Sequence, residues 1–79
     1  MIVVEMISKD ECHLCDVARE TLVRAQGSFP FELRQTKIRQ GEPLYERYGQ
    51  RVPVILIDDE VVFQYKVRED ELLAKLRSL

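Results

Sequence analysis

Two cysteines in the run Cys12-His13-Leu14-Cys15 are the side chains of this sequence whose type and spacing together could do chemistry. Such a pair can be a structural bridge, part of a metal site, a haem anchor or an exchanging dithiol. A disulfide scaffold in a small secreted domain usually takes four or more cysteines, and so short a loop would constrain little of the unfolded chain. Tetrahedral zinc needs four ligands, and the sequence offers two Cys and one adjacent His. Covalent haem attachment would place His directly after the second Cys, where Asp16 stands. What remains is a redox dithiol, or a pair without a role.

The surroundings narrow the choice. The chain has 79 residues, 46% hydrophobic and 33% charged, with 12 Lys+Arg against 14 Asp+Glu, a formal charge of −2. That composition is globular, and the length suits a single domain over residues 1–79 with one small core. The near-neutral balance argues against nucleic-acid binding, which would show a basic stripe. No stretch approaches the ~20 apolar residues that span a bilayer. The opening run lacks a basic n-region and is broken by Glu5, a poor signal peptide, so a cytoplasmic address is expected.

The elements that must hold the dithiol follow from periodicity. Met1 to Ser8 reads as a buried strand. From Cys12 to about Gln26, Leu14, Val17, Ala18, Leu22 and Ala25 follow helical spacing, with Glu20 and Arg24 in the favourable i,i+4 order. Gly27 is expected to end this helix before Pro30. Phe31 to Ile38 reads as a second strand. A short helix over about Glu42 to Tyr48 has Pro43 in its first turn and Gly49 at its end. Tyr45 and Tyr48 are expected to pack on the sheet. Val54-Ile55-Leu56-Ile57 is a central strand. Asp58-Asp59-Glu60 turns into Val61 to Tyr65, with Phe63 and Tyr65 expected to pack on opposite sheet faces. A last helix, about Arg68 to Ser78, aligns Leu72, Leu73, Leu76 and Leu79 and pairs Glu71 with Lys75. The order is β-α-β-α-β-β-α.

The dithiol thus falls between a buried strand and the first turn of an amphipathic helix. There the Cys12 sulfur meets free backbone N–H groups at the positive end of the helix dipole, which favour thiolate over thiol. Cys15, one turn further in, should be shielded. An exposed sulfur that attacks and a protected one that resolves are what disulfide exchange requires. Lys9 could approach the sulfur and assist, opposed by Asp10 and Glu11, so a modest lowering of the Cys12 pKa is expected. His13 reads as an exposed, neutral spacer.

These residues resemble the glutaredoxin-like branch of the thioredoxin superfamily. The likeness rests on Ser8 to Cys15 after an N-terminal strand, with lysine three residues before the first cysteine. It rests also on Val52-Pro53 just before a strand, and on an element order that covers almost the whole chain. The Cys-His-Leu-Cys tetrad and the stretch Arg47 to Val54 look most like a small glutaredoxin-like family. The resemblance implies an α/β, thioredoxin-like fold with a four-stranded mixed sheet flanked by helices. It implies that Pro53 is cis and faces the dithiol, leaving the Val52 N–H and C=O free for a substrate strand. Lys9, His13, Arg51, Val52 and Pro53 become candidate substrate-binding residues beside catalytic Cys12 and Cys15. Glutaredoxins follow the hairpin with Gly-Gly and then Asp; here Phe63-Gln64 stand for the glycines, Val67 falls near the acidic position and Arg51 replaces a threonine.

The function implied is a thiol–disulfide oxidoreductase acting on protein or glutathione-mixed disulfides. No bound cofactor or metal is expected, with glutathione as the candidate co-substrate. Partners would be a disulfide-containing protein or small thiol and a cellular reductase or glutathione, with a monomeric chain and neither nucleic acid nor membrane. The alternative is a non-enzymatic thioredoxin-fold binding module whose dithiol is vestigial or redox-sensing. A weaker third is two chains sharing a metal or iron–sulfur cluster through their cysteines.

Overall fold

In the computed structural model, which describes residues 1–79, the first apolar run forms β1 (Val3–Ser8) and leads into α1 (His13–Ser28). β2 (Glu32–Lys37), α2 (Pro43–Tyr48), β3 (Val54–Ile57), β4 (Glu60–Gln64) and α3 (Glu69–Arg77) complete the expected order. The four strands make one mixed sheet in the order β2-β1-β3-β4. β1 runs parallel to β2, across the α1 crossover, and antiparallel to β3, which is antiparallel to β4.

The alternation of strand side chains divides the core between the sheet's two faces. Val4, Met6, Ile55 and Ile57 meet Ala18, Leu22 and Ala25 of α1 and Leu72 and Leu76 of α3 on one face. On the other, Ile7, Val54 and Leu56 meet Tyr48 of α2 together with Ile38, Val52 and Cys15. This second cluster ties the dithiol to the rest of the fold. Central β3, buried along its whole length, belongs to both clusters, as its unbroken β-branched and apolar run requires.

Several sequence expectations are corrected. Gly27 does not end α1; the helix runs on to Ser28. Phe29 stops it, held extended (φ −147°, ψ 101°) by the following proline, with its N–H donated back to the Ala25 carbonyl at 2.9 Å. Leu14 and Val17 do not face the core but are 50% and 46% exposed, because α1 turns Cys15, Ala18, Leu22 and Ala25 inward instead. Leu79 lies beyond α3, exposed. Arg24 pairs across helices with Glu69 at 2.8 Å rather than with Glu20, and Glu71 meets Arg68 at 3.4 Å rather than Lys75. Tertiary packing brings Arg24 its partner, whereas Glu71 takes the helix's own N-cap residue three positions earlier; each displaces an i,i+4 attraction worth only ~0.5 kcal/mol.

The hairpin has two loop residues, Asp58 and Asp59, both at positive φ (47° and 70°), where a short polar side chain is tolerated. A bulge opposite Ile55 and Leu56 then pairs Leu56 with Val61 but Ile55 with Phe63, so Phe63 enters the core. Tyr65 is not a sheet-packing residue. It lies past the end of β4, half exposed.

Candidate functional site

Cys12 is the N-cap of α1, extended at φ −115° and ψ 98°, and its Sγ accepts a hydrogen bond from the Cys15 backbone N–H at 3.2 Å. An N-cap acceptor satisfies a helix-end N–H that has no intrahelical partner, and a thiolate accepts that bond more strongly than a thiol. Glu11, at φ 55°, turns the chain sharply just before the cap. Cys15 sits in the first helical turn, 3% exposed and packed among Ile7, Val52 and Val54, whereas Cys12 is half-buried at its edge. The two sulfurs form a disulfide, with Cα atoms 5.2 Å apart. One accessible sulfur and one shielded sulfur therefore share a single helical turn.

Val52 joins Cys15 in the same apolar cluster, and the Val52–Pro53 peptide bond is cis. Val52 is 6% exposed, yet neither its N–H nor its C=O makes a hydrogen bond within the chain. β3 pairing begins only at Val54, and the Pro53 carbonyl is taken by the Tyr65 N–H at 2.9 Å. Backbone groups with this little access to water are nearly always paired, so the Val52 pair is an open position for an incoming strand.

A polar cleft of about 400 Å³ opens beside the dithiol, lined among others by Lys9, Asp10, Cys12, His13 and Lys37. His13 is exposed at the first position of α1, within this cleft. Lys9 lines it too, but its ammonium does not seek the sulfur. It donates to the Gly49 carbonyl at 2.8 Å and lies 5.9 Å from the Tyr45 ring centroid, fastening the loop before Cys12 to the end of α2. Lys37 is drawn off to Asp10 at 3.3 Å. Arg51 is exposed where α2 turns back, its N–H bonded to the Tyr48 carbonyl. The structure thus brings Cys12, Cys15 and Val52 into one cluster with Pro53 next along the chain, puts Lys9 and His13 in the adjoining cleft, and leaves Arg51 outside it. No three His, Cys, Asp or Glu side chains converge as they would around a metal ion.

Gly49 ends α2 as the sequence suggests, but its close approach to Tyr45 is not legible there. It is buried, and its φ of −54° is ordinary for any residue, so turn chemistry is not what selects it. A Cβ there would lie 2.5 Å from the Tyr45 carbonyl oxygen and 2.9 Å from two ring carbons. Gly49→Ala is expected to cost ~1–3 kcal/mol through this overlap. The check is a lower urea midpoint at unchanged slope, with weaker anchoring of Lys9.

The strand order, the dithiol at a strand-to-helix junction and the buried Val-Pro segment define a thioredoxin-like fold with a CxxC pair. The sequence profile of the Glutaredoxin-like domain (DUF836) matches residues 3–77, and the chain belongs to that family. Similar solved structures include protein XcR50 from X. campestris, 28% identical over 96% of this chain and 97% of that one, with a TM-score of 0.79. Protein Ne2328 from Nitrosomonas europaea is 28% identical over 94% of this chain and 89% of its own, with a TM-score of 0.80. A mutant thioredoxin from Halobacterium salinarum shares the fold at 22% identity, covering 98% of this chain and 73% of that one, with a TM-score of 0.66.

Proposed function

We propose that the protein is a thiol–disulfide oxidoreductase in which Cys12 is the nucleophile and Cys15 the resolving thiol. The observation that carries this reading is the capping geometry: an accessible sulfur receives a helix-end N–H, while its partner three residues on is shut in the core. In the reduced protein the Cys12 thiolate attacks one sulfur of a substrate disulfide, and that S–S bond breaks with a thiolate leaving. Cys15 then gives up its proton and attacks the Cys12 sulfur. The second substrate thiolate departs, and the Cys12–Cys15 disulfide remains. A thiol or a dithiol reductase must return two electrons for the next turn. The unpaired Val52 N–H and C=O hold the substrate backbone in extended form.

Glutathione would supply those electrons by way of a mixed disulfide. Glutaredoxins give it a glycine pair after the hairpin. Here the residue at positive φ in that place is Tyr65, one position beyond the Phe63-Gln64 pair that stands for those glycines. We infer that a dithiol reductase serves this protein better than glutathione. The test is turnover of insulin and of a mixed glutathione disulfide under each reducing system. Acceleration of either substrate over reductant alone is expected, faster with thioredoxin reductase. No acceleration of either one would overturn the assignment.

A further inference from the structure

The fold leaves an apolar groove beside the dithiol that the redox step does not use. It holds about 380 Å³ and lies between Leu14, Val17 and Ala18 of α1 and Tyr65, Lys66 and Val67 ahead of α3. Thr21 also lines it, but the hydroxyl is spent on the Val17 carbonyl at 3.3 Å, so the walls stay apolar. Leu14 and Val17 are two of the three large apolar residues that the packing of α1 turns outward; the third, Val23, lies outside the groove.

A second observation is independent of that groove. Tyr65 has φ 68°, and the Lys66 N–H closes onto the Gln64 carbonyl at 2.7 Å, making a tight γ-turn around a bulky residue. Positive φ is unfavourable for an aromatic side chain, and such strain concentrates where a residue is held for use. The bond from its N–H to Pro53 fixes it there and presents the half-exposed ring to the groove. Leu14 lies inside the dithiol loop and Tyr65 is bonded to the residue after Val52, so the groove adjoins both the attacking sulfur and the open backbone position.

We propose that this groove takes an apolar side chain next to the reactive cysteine of an extended polypeptide, so that the protein selects protein disulfides with an aliphatic or aromatic neighbour. The inference deepens the oxidoreductase reading and rests on it. The occupant is a polypeptide because Val52 offers one donor and one acceptor, the valences of a β-strand, and the walls suit a hydrocarbon. Glutathione carries polar arms on both sides of its cysteine, and the groove would leave such an arm without partners.

The test uses two short peptides that differ only beside a single cysteine, Leu in one and Ser in the other. Each is presented to the reduced protein as a mixed disulfide with thionitrobenzoate. Cys12 attacks the peptide sulfur, thionitrobenzoate leaves and is read by absorbance, and Cys15 then frees the peptide thiol. The Leu peptide should be favoured about tenfold in kcat/KM. Val17→Glu, at an exposed position, should bring the ratio near one. Tyr65→Gly should lower the ratio while raising the unfolding midpoint, since glycine relieves the turn. A ratio near one in the unaltered protein, with both peptides turning over, overturns the inference alone, as does a ratio that survives both substitutions. If neither peptide nor the symmetric thionitrobenzoate disulfide reacts, the oxidoreductase reading falls and this inference with it.

Discussion

Cys12→Ser is expected to lower disulfide reduction by about 10³-fold or more, because a serine hydroxyl supplies almost no anionic nucleophile near neutral pH whereas a capped thiol supplies thiolate. The substitution is informative because it leaves the fold intact. Cys12 is the N-cap of α1, where its Sγ accepts the Cys15 N–H at 3.2 Å, and serine is among the residues best suited to that position. The hydroxyl replaces the sulfur as acceptor, and the half-buried site has room for it. The urea midpoint of the variant should therefore match that of the reduced parent, or exceed it by the margin of a better cap. Activity and stability separate, and a loss of turnover cannot be charged to unfolding. Turnover of a small disulfide at the parental rate would remove Cys12 from the chemistry and leave the binding-module alternative standing.

The elements that position this site are those whose sequence signals agree at every level. β3 reads as a buried strand from four consecutive apolar residues, and it is one. The Cys-x-x-Cys run reads as a helix start because a polar loop precedes it and an apolar periodicity follows. The shielding of Cys15 follows from its register with Ala18 and Leu22, all of them buried.

What sequence did not disclose depends on contacts formed only after folding. Leu14 and Val17 fit the helical pattern as well as Ala18 does, but the rotation of α1 is set by how its small residues nest on the sheet. Which apolar residues stay outside is decided by that fit. Lys9 was legible as a cation near the sulfur; only the tertiary structure shows the Gly49 carbonyl competing for it across 40 residues of chain. Tyr65 gives no local sign of positive φ, a conformation expected of Gly, Asn or Asp. It is imposed by the bulge in β4 and by the Pro53 carbonyl that fixes the end of that strand.

Cys15→Ser tests the other half of the dithiol and should have a different outcome. The accessible sulfur and its capping N–H are retained, so the first attack should go forward at close to the parental rate. The second step should not. In the parent, Cys15 is held one helical turn away with its Cα 5.2 Å from that of Cys12, which makes release of the substrate an intramolecular reaction. Tethering of this kind is worth an effective concentration far above any cellular thiol, and its loss should slow release by about 10³-fold or more at millimolar external thiol. The variant should accumulate as a one-to-one mixed disulfide with a protein substrate, visible as a mass adduct without reductant and lost with it. Added glutathione should release the adduct in proportion to its concentration, because it then does from solution what Cys15 does from the core. An adduct that fails to accumulate, with turnover near that of the parent, would mean that an outside thiol resolves the intermediate even in the unaltered protein. Burial of Cys15 would then serve packing against Ile7 and Val54 rather than exchange.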